Sequence, residues 1–134
     1  MAYSKLSSGT DESGNEIKRA YTPISRVEQP GYVDILIKVY RPSEAYPQGG
    51  QLTQYLERLR VGDRMSLTGP KGKITYLGDS VFHFRKTDTR RKYSKVSLIA
   101  GGTGIAPCYQ LLLHLLDEKD RQWDVRLLFG NRSR

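Results

Sequence analysis

At 134 residues the chain has room for one ordinary domain or two incomplete ones. Apolar residues at 37% and charged residues at 27% fit a folded globular protein rather than a disordered one, and no apolar run approaches the roughly 20 residues of a membrane span. Cys108 is the only cysteine, which excludes a disulfide framework and a thiolate metal site, and with only His83 and His114 beside it argues against zinc. The N-terminal MAYSKLSSGTDESG lacks the apolar core of a signal peptide, so a reducing, cytoplasmic setting is expected. The formal charge of +8 favours an acidic partner or an anionic ligand through long-range attraction.

In chain order, residues 2–7 and 16–24 are expected to pair as a hairpin around the polar connection 9–15. Residues 31–40 carry the clearest period-two pattern. Val33, Ile35, Ile37 and Val39 line one face, and Tyr32, Asp34, Leu36, Lys38 and Tyr40 the other. A turn-rich stretch at 41–50 leads into a short helix over 51–59, where Leu52, Tyr55, Leu56 and Leu59 recur at spacings of three and four. Strands are predicted at 64–68, 73–77 and 80–84, separated by Gly69-Pro70 and Gly78-Asp79. Antiparallel strands with one short helix suggest a small barrel or sandwich.

The next stretch is basic. Arg85, Lys86, Arg90, Arg91, Lys92 and Lys95 are opposed only by Asp88. It reads as a solvated linker, a docking patch for an acidic protein, or a weak nucleic-acid contact. Its aromatic residues are not interleaved for base stacking, which argues against nucleic acid. Beyond it come a buried strand (95–100), a helix (105–116) and a second buried strand (123–129), a unit that crosses over right-handed into a parallel sheet. Ligands of such sheets sit beyond the carboxyl ends of the strands. The two glycine turns, 101–104 and 130–132, should therefore share one rim.

Four segments carry candidate chemistry. In Gly101-Gly102-Thr103-Gly104 a strand ends in glycines and restarts as a helix. That lets a ligand approach bare backbone and the first-turn amides, though glycine equally solves a crowded corner. In Arg19-Ala20-Tyr21-Thr22-Pro23 a guanidinium and a phenol ring share one face of a strand. The pair suits a diphosphate joined to a flat heterocycle, or Arg19 simply pairs with a carboxylate. Pro23 lacks an N–H and holds Thr22 extended, so the ladder should loosen there. Gly49-Gly50-Gln51-Leu52-Thr53 is again glycines opening a helix, an anion site or an ordinary cap. In Ile37-Lys38-Val39-Tyr40, Lys38 and Tyr40 are free to reach a ligand, although a lone tyrosine is more often packing. No acid–base or nucleophile constellation appears, which is compatible with a reaction performed by a cofactor.

The ordered series RAYTPIS, IKVY, YPQGGQLTQYL, LTGPKG, LIAGGTGIAP and LLFGNRS resembles the flavin-dependent ferredoxin–NADP reductase superfamily, in its cytochrome-b5 reductase and nitrate reductase flavin-domain branch. The resemblance implies an all-β plus α/β fold. An incomplete antiparallel flavin-binding barrel (1–84, lacking its first strands) would precede a basic linker (85–94). The first strand–helix–strand of a nicotinamide-binding parallel sheet (95–134) would follow. By the same resemblance Arg19, Tyr21, Thr22 and Pro23 belong to the FAD site, with Arg19 at the diphosphate and Tyr21 and Thr22 at the isoalloxazine and ribityl part. Lys38 and Tyr40 flank the cofactors, and Gly50, Gln51, Leu52 and Thr53 bind phosphate at the helix start. Gly101, Gly102, Thr103 and Pro107 line the nicotinamide cleft, with Gly130-Asn131-Arg132 near that nucleotide's ribose or phosphates. Thr22 and Thr103 take the catalytic positions.

The implied activity is electron transfer from NADH or NADPH through FAD to a one-electron acceptor, an acidic haem protein of cytochrome-b5 type. Two substitutions depart from the family pattern: Ala106 replaces a usual threonine, and Gln51 a common lysine. The resemblance also implies that barrel strands and later lobe strands, and any membrane anchor, are not in this chain. Self-association through open sheet edges, and a weakly active flavin- or partner-binding module, are the corresponding alternatives.

Overall fold

A computed structural model of the chain describes residues 3–10, 14, 16–119 and 123–132. Strands β1 (Tyr3–Thr10) and β2 (Glu16–Tyr21) form the expected antiparallel hairpin, with Leu6 opposite Arg19 and Lys5 opposite Ala20. Part of the connection expected at 9–15 lies outside the described residues. The hairpin is pinned where Glu16 accepts a hydrogen bond from the Ser7 hydroxyl at 2.7 Å and pairs with Lys18. The bonds from Lys18 and then Ser7 hold the Glu16 carboxyl below its usual range. On the other side of β1 lies β3 (Ser66–Lys71), giving the order β2-β1-β3. Leu6, at the centre of this sheet, is 2% exposed.

β3 runs through Gly69-Pro70, where the sequence suggested a break. It is an edge strand, and an edge tolerates a residue that lacks an N–H. Residues 31–40 depart from expectation in the opposite direction. They are extended but form no ladder, only a single bridge between Pro23 and Ile35 supported by Ile24 N–H donating to the Asp34 carbonyl at 2.8 Å. Their alternation survives without the pairing. Ile35, Ile37 and Val39 are half-buried while Asp34, Leu36, Lys38 and Tyr40 are exposed, although Val33, assigned to the inner face, is exposed as well.

After helix α1 (Gln51–Arg58) and β3, a second antiparallel sheet forms in the order β4 (Ile74–Tyr76), β5 (Val81–Phe84), β6 (Thr89–Lys92). Here the linker expected at 85–94 is corrected. Residues 85–88 are a tight turn closed by His83 Nε2 and Asp88 Oδ1 at 2.8 Å, and Thr89–Lys92 pairs with β5. The ladder gives these backbone groups partners that a solvated linker would have to find in water.

The last unit is the strand–helix–strand read from the sequence: β7 (Lys95–Gly101), a single tight turn at Gly102–Gly104, α2 (Ile105–Asp117) and β8 (Asp124–Gly130). β7 and β8 are parallel, and their register places Gly101 beside Gly130, so both glycine turns do lie on one rim. Leu111 and Leu115 of α2, four residues apart, meet Leu98 of β7 and Phe82 of β5 in the main core. Ile74, Tyr76, Phe84, Val96, Cys108, Trp123 and Val125 pack around them. Tyr76 lies 5.0 Å from Phe82 and 6.0 Å from Trp123 between ring centroids. The core therefore joins the second antiparallel sheet to the parallel unit. Glu118, just past α2, reinforces the join by accepting from the Tyr76 hydroxyl and from Asp79 N–H at 3.1 Å.

Leu115 is the most deeply buried large side chain among the described residues, at 1% exposure. Leu115→Ala is expected to lower the free energy of unfolding by about 2–5 kcal/mol in a urea titration, and Leu115→Met by less than about 1.5 kcal/mol.

Candidate functional site

Where the first sheet meets the start of α2, the surface opens into a cleft of about 970 Å³. This is near the top of the range of about 300–1,000 Å³ usual for small-molecule sites. One wall is the end of β2. The strand's pairing with β1 stops at Tyr21, and the chain continues as Thr22 and Pro23. Arg19, Tyr21 and Thr22 all line the cleft. Arg19 is anchored to its own strand by donating from Nη1 to the Lys18 carbonyl at 2.8 Å. Burial raises the pKa of the Tyr21 phenol above 10.0; the Arg19 charge opposes this and Tyr40 adds to it. Tyr21 is thus a protonated donor at neutral pH.

The floor is the extended segment that carries Leu36, Lys38 and Tyr40, all of which line the cleft. Period-two alternation sends these even-numbered residues to one side. Lys38 Nζ sits 5.7 Å from the centre of the Tyr40 ring, so the cation and the aromatic face are offered together. The segment is tied to α1 by backbone. Gly50 N–H donates to the Tyr40 carbonyl at 2.8 Å, and Tyr40 N–H donates to Thr53 Oγ1 at 3.2 Å. The Thr53 hydroxyl in turn donates to the Gly50 carbonyl at 2.9 Å.

Two glycines are required at this join. Gly49 has φ +60, and a Cβ there would lie 2.5 Å from the Tyr40 carbonyl oxygen. A Cβ on Gly50 would lie 2.5 Å from Thr53 Oγ1. The first intrahelical bond of α1 runs from Gln54 N–H to the Gly50 carbonyl at 2.9 Å, so the amides of Gln51, Leu52 and Thr53 precede it and face the end of the helix.

The opposite wall is the turn after β7. Gly102 holds φ +50, and Ile105 N–H closes the turn on the carbonyls of Gly102 and Thr103. Thr103, Gly104, Ala106 and Pro107 line the cleft.

The structure thus brings together Arg19, Tyr21, Thr22, Lys38, Tyr40, Gly50, Gln51, Leu52, Thr53, Thr103 and Pro107 from the sequence-derived set. Pro23, Gly101 and Gly102 are outside the lining. Pro23 bridges to Ile35, and the two glycines shape the turn behind Thr103. The sequence reading did not assign Leu36, Tyr46, Pro47 and Gln48 to the site, although all four line the cleft. Tyr46 to Gln48 could have been found, since they directly precede a glycine pair that opens a helix. Arg19 and Lys38 are charged lining residues, and no carboxylate is among the described residues that line the cleft.

The chain is similar to known proteins over most of its length. Residues 5–76 match the oxidoreductase FAD-binding domain and residues 98–134 the oxidoreductase NAD-binding domain. NADH-cytochrome b5 reductase 2 of Gallus gallus is 39% identical over 127 residues, covering 90% of this chain and 42% of that protein. Nitrate reductase [NADH] of Volvox carteri is 37% identical over 123 residues, covering 90% of this chain and 14% of that protein. Among solved structures, the cytochrome b5 reductase domain of Ulva prolifera nitrate reductase superposes with a TM-score of 0.87 at 31% identity, over 97% of this chain and 49% of that one. The chain spans less than half the length of each of these proteins.

Gly49→Ala tests the join beneath the cleft. The forced left-handed backbone alone is expected to cost about 1–3 kcal/mol in chemical denaturation. Gly104→Ala, at a helical φ of −64 with open space around the added Cβ, should leave stability unchanged or slightly raised.

Proposed function

We propose, because the chain belongs to the oxidoreductase FAD-binding family, that its cleft holds FAD and presents it to a nicotinamide nucleotide docked on the turn after β7. The observation that carries this reading is the composition of the cleft. A guanidinium, a lysine, a glycine-led helix start and three tyrosine rings face one another with no carboxylate among the described lining residues. That donor set fits a diphosphate joined to a flat heterocycle. Bound there, FAD would supply the chemistry that converts a two-electron donor, NADH or NADPH, into single electrons for a haem-type acceptor.

The chain's own groups then have distinct tasks. Arg19 and the first amides of α1 neutralise the diphosphate, with Gln51 contributing backbone but no charge. Tyr21 donates from its un-ionised phenol, and Tyr40 and Lys38 flank the rings. Thr22 and Thr103 offer hydroxyls from opposite walls at the place where the two rings would meet. Leu36 and Pro107 exclude water, and Gly101 and Gly102 let the nucleotide approach the backbone. In this reading residues 1–84 supply the flavin side and 95–134 the nicotinamide side.

The acceptor is proposed to be an acidic haem protein in the cytoplasm. Arg85, Lys86, Arg90, Arg91 and Lys92 are exposed on the β5–β6 hairpin and turn. Such a cluster speeds association with an acidic surface and does so less at high salt. No helix among the described residues is long and apolar enough to cross a membrane.

A second reading, a flavin- or partner-binding module with little turnover, is favoured by the outer face of the parallel sheet. Ile99 is 77% and Leu128 67% exposed there, apolar surface that another copy could cover.

The visible spectrum of the purified chain with FAD, before and after NADH or NADPH, separates the readings. Bleaching supports the reductase, a flavin spectrum that does not bleach supports the module, and no flavin binding overturns both. Arg19→Ala is expected to weaken FAD binding by about 10–100-fold in a fluorescence titration, the loss of a charge-assisted contact. The double variant R90E/R91E should slow electron delivery to an acidic haem protein by about tenfold or more at low salt and flatten its salt dependence.

A further inference from the structure

We propose that Gln110 is a positioning residue, a latch that holds the nicotinamide wall of the cleft at a set distance from the flavin wall. The inference rests on the FAD and nicotinamide reading of the cleft. It concerns α2, which leaves the cleft at Ala106 and Pro107 and runs to Asp117.

Two faces of this helix do different work. Leu111 and Leu115 point into the core with Leu98 and Phe82, and so fasten α2 to its own sheet. A second stripe, at 106, 110 and 117, returns to one side of the helix at spacings of four and seven. Ala106 lines the cleft, the amide of Gln110 donates from Nε2 to the Pro23 carbonyl at 3.4 Å, and Asp117 pairs with Arg26. Each of these three contacts falls on the cleft or on residues 23–26, the stretch that follows Thr22.

Gln110 is 5% exposed. A buried amide costs free energy unless it is hydrogen-bonded, so its partners are part of its reason for being there. An apolar side chain of the same size would fill the space but would not specify where Pro23 must lie. The carbonyl it bonds is one residue from Thr22, while the helix that carries it begins five residues earlier in the opposite wall. The bond therefore spans the cleft from behind. The Arg26–Asp117 pair is half-exposed and contributes little stability by itself. Its place at the far end of the helix limits tilting about the Gln110 contact. Reaction between two stacked rings is sensitive to such placement, since a displacement of about 1 Å can cost about a hundredfold in rate.

The test uses the full chain loaded with FAD and reduced by excess NADH in a stopped-flow instrument. Gln110→Leu should lower the limiting reduction rate tenfold or more and weaken the long-wavelength absorbance of the donor–flavin pair, with FAD content and thermal midpoint near wild type. Arg26→Gln should produce a smaller decrease of the same kind. An unchanged limiting rate in Gln110→Leu, or a fall only in proportion to lost flavin or stability, overturns the latch. A wild-type chain that takes no FAD or does not bleach defeats the functional reading instead. Amide hydrogen exchange then decides the latch independently: faster exchange at residues 22–26 in Gln110→Leu, with β7 and β8 unchanged, supports it, and unchanged exchange at 22–26 overturns it.

Discussion

The hydroxyl of Thr53 is the point from which the wall of the cleft built by α1 and residues 36–40 is hung. It donates to the Gly50 carbonyl and accepts from the Tyr40 amide, so one buried group fixes both the start of α1 and the end of the extended segment 36–40. The bond from Gly50 N–H to the Tyr40 carbonyl and the bridge between Pro23 and Ile35 also hold this segment, and the Thr53 hydroxyl adds the bond that fixes the Tyr40 amide. The tightness of the join explains its glycines, since backbone and hydroxyl atoms occupy the space a Cβ would need. It also gives Thr53 a structural task, leaving its amide rather than its hydroxyl directed toward the helix end.

The opposite wall is built on different physics. Apolar packing of Leu98, Leu111, Leu115 and Phe82 holds α2 on its sheet, and the register of β7 with β8 places the two glycine turns side by side. Because Phe82 belongs to the second antiparallel sheet, the parallel unit does not stand alone. Strand β5, which carries the β5–β6 hairpin and its turn, shares one core with the α2 helix. A basic surface and the turn after β7 are thereby mounted on the same core.

Much of this was legible in the residues. The parallel unit could be read because apolar periodicity changes from two to 3.6 across Gly101–Gly104, and a right-handed crossover then dictates which strand ends share a rim. The facing of residues 35–40 could be read from alternation, whereas their lack of a ladder could not, because pairing depends on a neighbour rather than on the strand itself. β6 was hidden for a plain reason. Thr89–Lys92 is exposed throughout, so it has no apolar face to announce a strand. β3 through Gly69-Pro70 was hidden because an edge position relaxes the rule that breaks interior strands. The contact from Gln110 to Pro23 joins residues 87 apart and leaves no local pattern at all.

The exposure of β6 has a consequence for solubility. In the order β4-β5-β6 it is an open edge, a row of backbone groups able to recruit another strand. Arg90, Arg91 and Lys92 occupy that edge, and Arg85 and Lys86 stand in the turn beside it. Two such strands brought edge to edge would face each other with like charge in adjacent registers, a pairing that repulsion opposes. The hairpin is therefore protected from fibril-like growth by the residues that would welcome an acidic protein. One cluster of cations both invites a partner of opposite sign and turns away a copy of itself.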